Sequence, residues 1–361
     1  MGYSYNTLKK LLIKKEAVRI FVLFLMLSVT LHAEKTPITP PLLKKGDVVA
    51  IVAPASCPDE DQMFVNRAIN ALIQKGYRVR TASNIMTRNG YLAGTDYDRA
   101  KEFMNAWLDP EVKAVWCYRG GYGCARILER LDYQAIQQHP KILIGMSDIT
   151  ALHAAIAKET GLVTFLGPNF NEVFGDSAKK TSAFTEQQLW NTITKATPIN
   201  KGGYRFPIPK SFPGKQHPVM TINGGVARGR LTGGTLSLVA SLIGTPWEID
   251  TAGKILVLEE VDEEPYCIDR MLRQLKLAGL LDNPAGVILC SWKGCSGKRP
   301  NKTLALEHIF KEYFAHTRYP VLFGFPSGHI SDQLTLPLNA IAELDATNKA
   351  LYLLESPVEV R

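Results

Sequence analysis

The sequence predicts an α/β protein with a parallel-sheet amino-terminal domain and a smaller mixed, barrel-like carboxy-terminal domain. Three observations lead there. Apolar strand-like runs alternate with helical patterns through the first half, which implies a parallel sheet covered on both faces. Prolines break the pattern in the middle of the chain. The second half resumes with fewer regular strand-helix alternations. The 361 residues suffice for two domains, and a hydrophobic content of 46% supports packed cores.

The elements follow in order. Residues 1–33 read as an export leader, with Lys9, Lys10, Lys14, Lys15 and Arg19 ahead of an apolar run over 20–31 and cleavage after Ala33. A membrane span needs about 20 apolar residues, more than this run offers, so no stable span is expected after processing. An uncleaved anchor is the alternative, because Leu31 is larger than the small residue preferred there. A proline-rich lead covers 34–45. The first domain is expected over 46–167, with strands at 47–53, 77–81, 112–118, 141–146 and 162–165 and helices at 61–74, 99–107 and 124–131 and after residue 150. A connection spans 168–223, interrupted by Pro168, Pro198, Pro207, Pro209 and Pro213 around one helix at 185–195. The second domain, 224–361, offers strands at 254–261 and 286–292, helices at 267–277 and 304–314, and short strands after Pro320.

Charge and cysteine content exclude several classes. The leader carries five Lys/Arg and Glu16, so its removal lowers the formal charge from +8 to +4, and no basic run remains to bind nucleic acid. The six cysteines (Cys57, Cys117, Cys124, Cys267, Cys290, Cys295) have no disulfide spacing, and without a CxxC or HExxH pattern no metal is expected.

Lys141-Ile142-Leu143-Ile144-Gly145-Met146-Ser147-Asp148 runs an apolar strand through a Gly-X-Ser corner into a helix. Such a corner lifts a serine hydroxyl out of the sheet beside helix N–H groups that can hold an oxyanion. Ser147 is therefore the candidate nucleophile, although Ser147 or Asp148 also reads as a helix cap. Ile149 replaces the second glycine of the ordinary hydrolase elbow. Arg119-Gly120-Gly121-Tyr122-Gly123 stands at another strand end. It lacks the Gly-Lys-Ser/Thr ending of a phosphate loop and fits an oxyanion or carboxylate site, with Arg119 and Tyr122 as substrate-binding candidates; a tight turn that merely needs glycine is the alternative. Glu259 follows three buried-type residues, where a carboxylate needs a partner. His329, in Phe323-Gly324-Phe325-Pro326-Ser327-Gly328-His329, supplies one: the histidine would take the Ser147 proton and Glu259 would orient the ring.

With these motifs the chain resembles the LD-carboxypeptidase family of serine peptidases, the muramoyltetrapeptide carboxypeptidases, from about Asp47 to Leu354. Ala53-Pro54-Ala55-Ser56, Gly167-Pro168, Gly233-Gly234-Thr235-Leu236 and Leu242-Ile243-Gly244-Thr245-Pro246-Trp247 extend the match. The resemblance implies a triad of Ser147, Glu259 and His329 and an oxyanion hole from the backbone N–H groups of Asp148 and Gly121. It also implies a Rossmann-like first domain, a site between domains, a homodimer, no cofactor, and a murein tetrapeptide substrate cleaved between meso-diaminopimelate and the terminal D-Ala. The leader departs from the family's cytoplasmic members and points to the periplasm; Thr235, where Asn is frequent, and Cys124 are smaller departures. Three other readings stand beside it: a related hydrolase of peptide-nucleotide antibiotics conferring self-immunity, a non-catalytic periplasmic binder of murein fragments, and an amidotransferase-like site with Cys124 as nucleophile.

Overall fold

The computed structural model describes residues 35–175, 182–196, 202–208 and 218–360, so the expected leader lies outside the described residues. Residues from Thr36 onward form one compact unit. In its first half, β1 (Val48–Val52), β2 (Arg78–Thr81), β3 (Val112–Cys117), β4 (Ile142–Gly145) and β5 (Thr164–Leu166) alternate with α1 (Gln62–Gln74), α2 (Asp96–Leu108), α3 (Tyr133–Gln138) and α4 (Thr150–Thr160). The helices begin where the sequence offers caps: the side chains of Asp61 and Thr95 accept N–H groups of Phe64 and Asp98. The expected helix at 124–131 is instead a 3₁₀ turn, Cys124–Arg130. The N–H of Cys124 is drawn away to the Asp148 carboxylate, and Arg126 N–H closes a shorter bond back to the Gly123 carbonyl.

Two short helices follow, α5 (Phe170–Phe174) and α6 (Ala183–Thr194), then β6 (Tyr204–Arg205), β7 (Met220–Asn223), β8 (Val226–Thr235), α7 (Leu236–Ser241), β9 (Ile255–Val261), α8 (Pro265–Leu277), β10 (Gly286–Lys293), α9 (Leu306–Phe314), β11 (Val321–Phe323), β12 (Leu336–Leu338), β13 (Ile341–Asp345) and β14 (Ala350–Leu353). The first sheet has the order β12-β5-β4-β3-β1-β2, the second β6-β14-β13-β8-β9-β10-β11-β7. Strands β1 to β5 are parallel, while β12, from the second half of the chain, joins the first sheet antiparallel to β5 with Leu336 opposite Leu166. The second sheet is mixed, with a parallel centre of β8, β9, β10 and β11.

The central strands of both sheets are apolar on both faces, as helix-covered parallel strands must be. In β1, Val48, Ala50 and Val52 enter one hydrophobic cluster while Val49 and Ile51 enter another. In β9, Leu256 and Leu258 join the first cluster and Ile255 and Val257 the second. Each cluster thus runs through both sheets. Burying one such aliphatic side chain stabilises the fold by about 1.5–3 kcal/mol, enough for these shared faces to hold the two halves together.

Candidate active site

The candidate site gathers at the carboxyl ends of parallel strands, where open α/β sheets place their ligands. Ser147 follows β4 with φ at 64°, a left-handed conformation for a residue with a side chain. That conformation costs about 1–3 kcal/mol and persists only where the surroundings enforce it. The enforcement is visible on every side. Gly145 admits no side chain, since a Cβ there would come 2.8 Å from Ile149 Cγ1. Met146 N–H donates to Asn169 Oδ1 at 3.2 Å, and Gly167 N–H to the Gly145 carbonyl at 3.2 Å. His153, fully buried on α4, contacts that carbonyl through Nε2 at 2.9 Å and Thr164 Oγ1 through Nδ1 at 2.9 Å. A carbonyl only accepts, so Nε2 carries the proton, and burial lowers the His153 pKa to about 4. His153 is a neutral brace for the corner.

The glycine loop lies against Ser147. A Cβ on Gly120 would stand 2.7 Å from Ser147 Cβ and 3.3 Å from Asp148 N. Gly121 has φ of 107°, and a Cβ there would meet Ser56 Oγ at 2.3 Å. Ser56 is the loop's other anchor: its N–H donates to the Gly120 carbonyl at 3.3 Å and its hydroxyl oxygen accepts Tyr122 N–H at 3.2 Å. From beneath, the buried Asp148 carboxylate accepts Cys124 N–H at 2.7 Å, and Arg99, 1% exposed, donates to the carbonyls of Gly123 and Pro54. Burial raises the Asp148 pKa. Arg119 pairs with Asp59, and Tyr122 is exposed with its ring edge-on to Tyr91 at 5.6 Å.

In the second sheet, Glu259 near the end of β9 is fully buried. Its Oε2 accepts His329 Nδ1–H at 2.7 Å and the His329 backbone N–H at 3.3 Å, while Oε1 accepts the Thr235 hydroxyl. Gly328 makes this approach possible: its φ is 103°, and a Cβ would fall 2.4 Å from Glu259 Oε2. Burial alone would lower the His329 pKa, but the Glu259 charge and hydrogen bond outweigh it and raise the value to about 9. The neighbouring Glu260, also buried, accepts N–H groups of Ser237 and Val261, and burial pushes its pKa to about 7.

The two sheets meet through hydroxyls. Thr150, three residues beyond Ser147 on α4, accepts Thr235 N–H at 3.1 Å and donates to Thr235 Oγ1 at 3.4 Å. Ser147 and His329 are both partly exposed and share no hydrogen bond among the described residues, so Nε2 of the histidine is available. The sequence-expected residues Ser147, Asp148, Glu259 and His329 therefore lie within one hydrogen-bonded framework, edged by Gly120 and Gly121. Sequence reasoning missed the anchoring by Ser56, Arg99 and Asn169 and the Thr150–Thr235 contact. Cys124 is fully buried and its thiol is pushed well above the usual range by burial and by Asp148, which makes it a core residue and a poor nucleophile. All six cysteines are free. Among the described residues no three His, Cys, Asp or Glu side chains converge as metal ligands.

Comparison with known proteins agrees with the fold. Residues 49–167 match the LD-carboxypeptidase N-terminal domain and residues 228–344 the LD-carboxypeptidase C-terminal domain. A probable murein peptide carboxypeptidase of Bacillus subtilis is 39% identical over 86% of this chain and 92% of its own length. The solved muramoyltetrapeptide carboxypeptidase from Oxalobacter formigenes superposes with a TM-score of 0.72 at 29% identity, covering 85% of this chain and 97% of that one. The microcin C7 self-immunity protein MccF gives 0.78 at 26% identity, covering 90% of this chain and all of its own. With both family domains matched in order and the relatives covered nearly end to end, the chain belongs to the LD-carboxypeptidase family.

Proposed function

We propose that this protein is a serine carboxypeptidase that hydrolyses the bond between the L-centre of meso-diaminopimelate and the terminal D-Ala of murein tetrapeptides. The observation that carries the proposal is the buried Glu259–His329 pair, with its free Nε2, joined through Thr235 and Thr150 to the strained Ser147 corner. His329 Nε2 takes the hydroxyl proton as Ser147 Oγ attacks the diaminopimelate carbonyl. The resulting oxyanion is held by the N–H groups of Asp148 and Gly121. Protonated His329 then donates to the departing D-Ala nitrogen as the C–N bond breaks. Water enters along the same route and loses a proton to His329 as it attacks the acyl carbonyl, and His329 returns that proton to Ser147 Oγ as the acyl–oxygen bond breaks. Arg119 and Tyr122, on the loop beside Ser147, are the proposed contacts to the rest of the peptide.

Murein peptides are favoured over a peptide-nucleotide conjugate because the murein-named relative is more similar in sequence than the MccF structure. Mass spectrometry of tetrapeptide before and after incubation tests the reaction. Loss of one D-Ala supports it; unchanged tetrapeptide together with cleavage of a peptide-nucleotide conjugate favours the self-immunity reading, and binding without turnover of either leaves a murein-fragment binder. The proposal extends to export through residues 1–33 into the periplasm and to a homodimer, checked by the mature amino-terminus of the exported protein and by its solution mass. Among the described residues no helix is long and apolar enough to cross a membrane.

A further inference from the structure

Glu259 has two carboxylate oxygens, and only Oε2 is occupied by His329. The terminal torsion of a glutamate is broad, so one occupied oxygen leaves the carboxylate plane free to turn and to carry the imidazole with it. The second oxygen is fixed by Thr235, which stands directly beside Glu259 in the parallel β8–β9 register. Thr235 is itself tied twice to Thr150, through its N–H at 3.1 Å and its Oγ1 at 3.4 Å. The hydroxyl protons all point one way, Thr150 donating to Thr235 Oγ1 and Thr235 to Glu259, and both hydroxyls belong to buried residues. The approach of α4 to β8 is close enough that a Cβ on Gly234 would stand 2.5 Å from Thr150 Oγ1.

We propose that Thr235 is a positioning residue: held by Thr150 on the helix that follows Ser147, its hydroxyl fixes the plane of Glu259 and thereby the His329 ring relative to the nucleophile. The inference rests on the triad reading above. Thr235 touches no reacting atom; it carries the geometry of the first sheet's corner into the acid-base pair of the second. A side chain that is merely packed would affect folding, whereas a positioning hydroxyl affects the chemical step.

The test compares Thr235→Val, Thr235→Ser and Thr150→Val in the full chain, measuring D-Ala release, melting temperature and the downfield NMR signal of the His329 Nδ1 proton. Misplacement of a catalytic group by about 1 Å costs on the order of 10²-fold. Thr235→Val is accordingly expected to lower kcat on that scale with KM little changed and the Nδ1 signal shifted or broadened, while Thr235→Ser recovers most of the rate. Wild-type kcat in Thr235→Val, or an equal loss in Thr235→Ser, overturns the proposal. If Thr235→Val does not fold, Thr150→Val decides: a kcat loss at unchanged melting temperature and KM supports the chain of hydroxyls, and an unchanged kcat overturns it. Ser147→Ala and Glu259→Gln run alongside. Should either retain wild-type turnover, the triad reading fails; should both lose turnover while Thr235→Val keeps it, only the positioning role fails.

Discussion

Ser147 and Glu259 both stand near the carboxyl ends of parallel strands, one in each sheet, but they are held by different means. At Ser147 the backbone is the device: a left-handed corner enforced by Gly145, Gly120 and hydrogen bonds to main-chain atoms. At Glu259 the side chain is the device: a buried carboxylate held at both oxygens by His329 and Thr235 while its strand keeps an unbroken register with β8. A nucleophile must meet changing substrate geometry and needs an exposed hydroxyl on a rigid turn. The carboxylate has only to hold one ring, and burial with full hydrogen bonding achieves that.

Mutations separate the two devices. Ser147→Ala removes the attacking atom and is expected to lower kcat by on the order of 10⁶-fold, the scale set by nucleophile removal in serine proteases, leaving only the residual catalysis of binding and the oxyanion hole. Steady-state D-Ala release measures this, and a rate near wild type excludes Ser147 as the nucleophile. Glu259→Gln should cost about 10⁴-fold by leaving the imidazole misoriented and in the wrong tautomer. It should also change the pH profile. His329 must be neutral to accept a proton, so with its pKa raised to about 9 the wild-type kcat/KM climbs as pH rises through that value, and loss of the Glu259 charge moves the limb toward the ordinary histidine range. A limb that stays in place in the Gln variant breaks the link between the pair and the rate.

Gly120→Ala is the sharper probe of the corner, because the added methyl meets Ser147 Cβ at 2.7 Å and must push the loop away. A displaced oxyanion donor is expected to cost about 10²-fold in kcat with the fold intact, measured by kinetics beside a thermal melt. The smallest effect belongs to thiol alkylation. With Cys124 fully buried and its pKa far above neutrality, iodoacetamide treatment of the native protein should leave activity unchanged, and inactivation traced to Cys124 by peptide mapping would return the thiol to contention.

These two devices also explain how legible each half was. The corner could be read from the chain because strand, serine and helix are consecutive. Glu259 stood out because three apolar residues led into a carboxylate that had to find a partner, and His329 because glycines surround it. Thr235 is visible as a departure from the family pattern, but its partner is not, because the carboxylate it binds lies 24 residues away on the neighbouring strand. Arg99 sat in an amphipathic helix, where arginine ordinarily faces water, and its burial depends on two carbonyls from distant loops. The strand alternation gave the parallel sheet. Short strands are legible after Pro320, but nothing local says that β12 joins the first sheet, because its pairing partner is set by tertiary contact rather than by local pattern.

That strand has a consequence for how the protein comes into being. Because β12 completes the edge of the first sheet beside β5, the sheet bearing Ser147 cannot reach its final form until residues 336–338 have left the ribosome. His329 and the sheet's last strand are separated by only a few residues, so the proposed nucleophile's scaffold and its proposed base mature in the same late step of synthesis. A shortened chain ending before His329 would therefore carry the serine motif intact and yet lack both the proposed base and the border of the sheet that presents it.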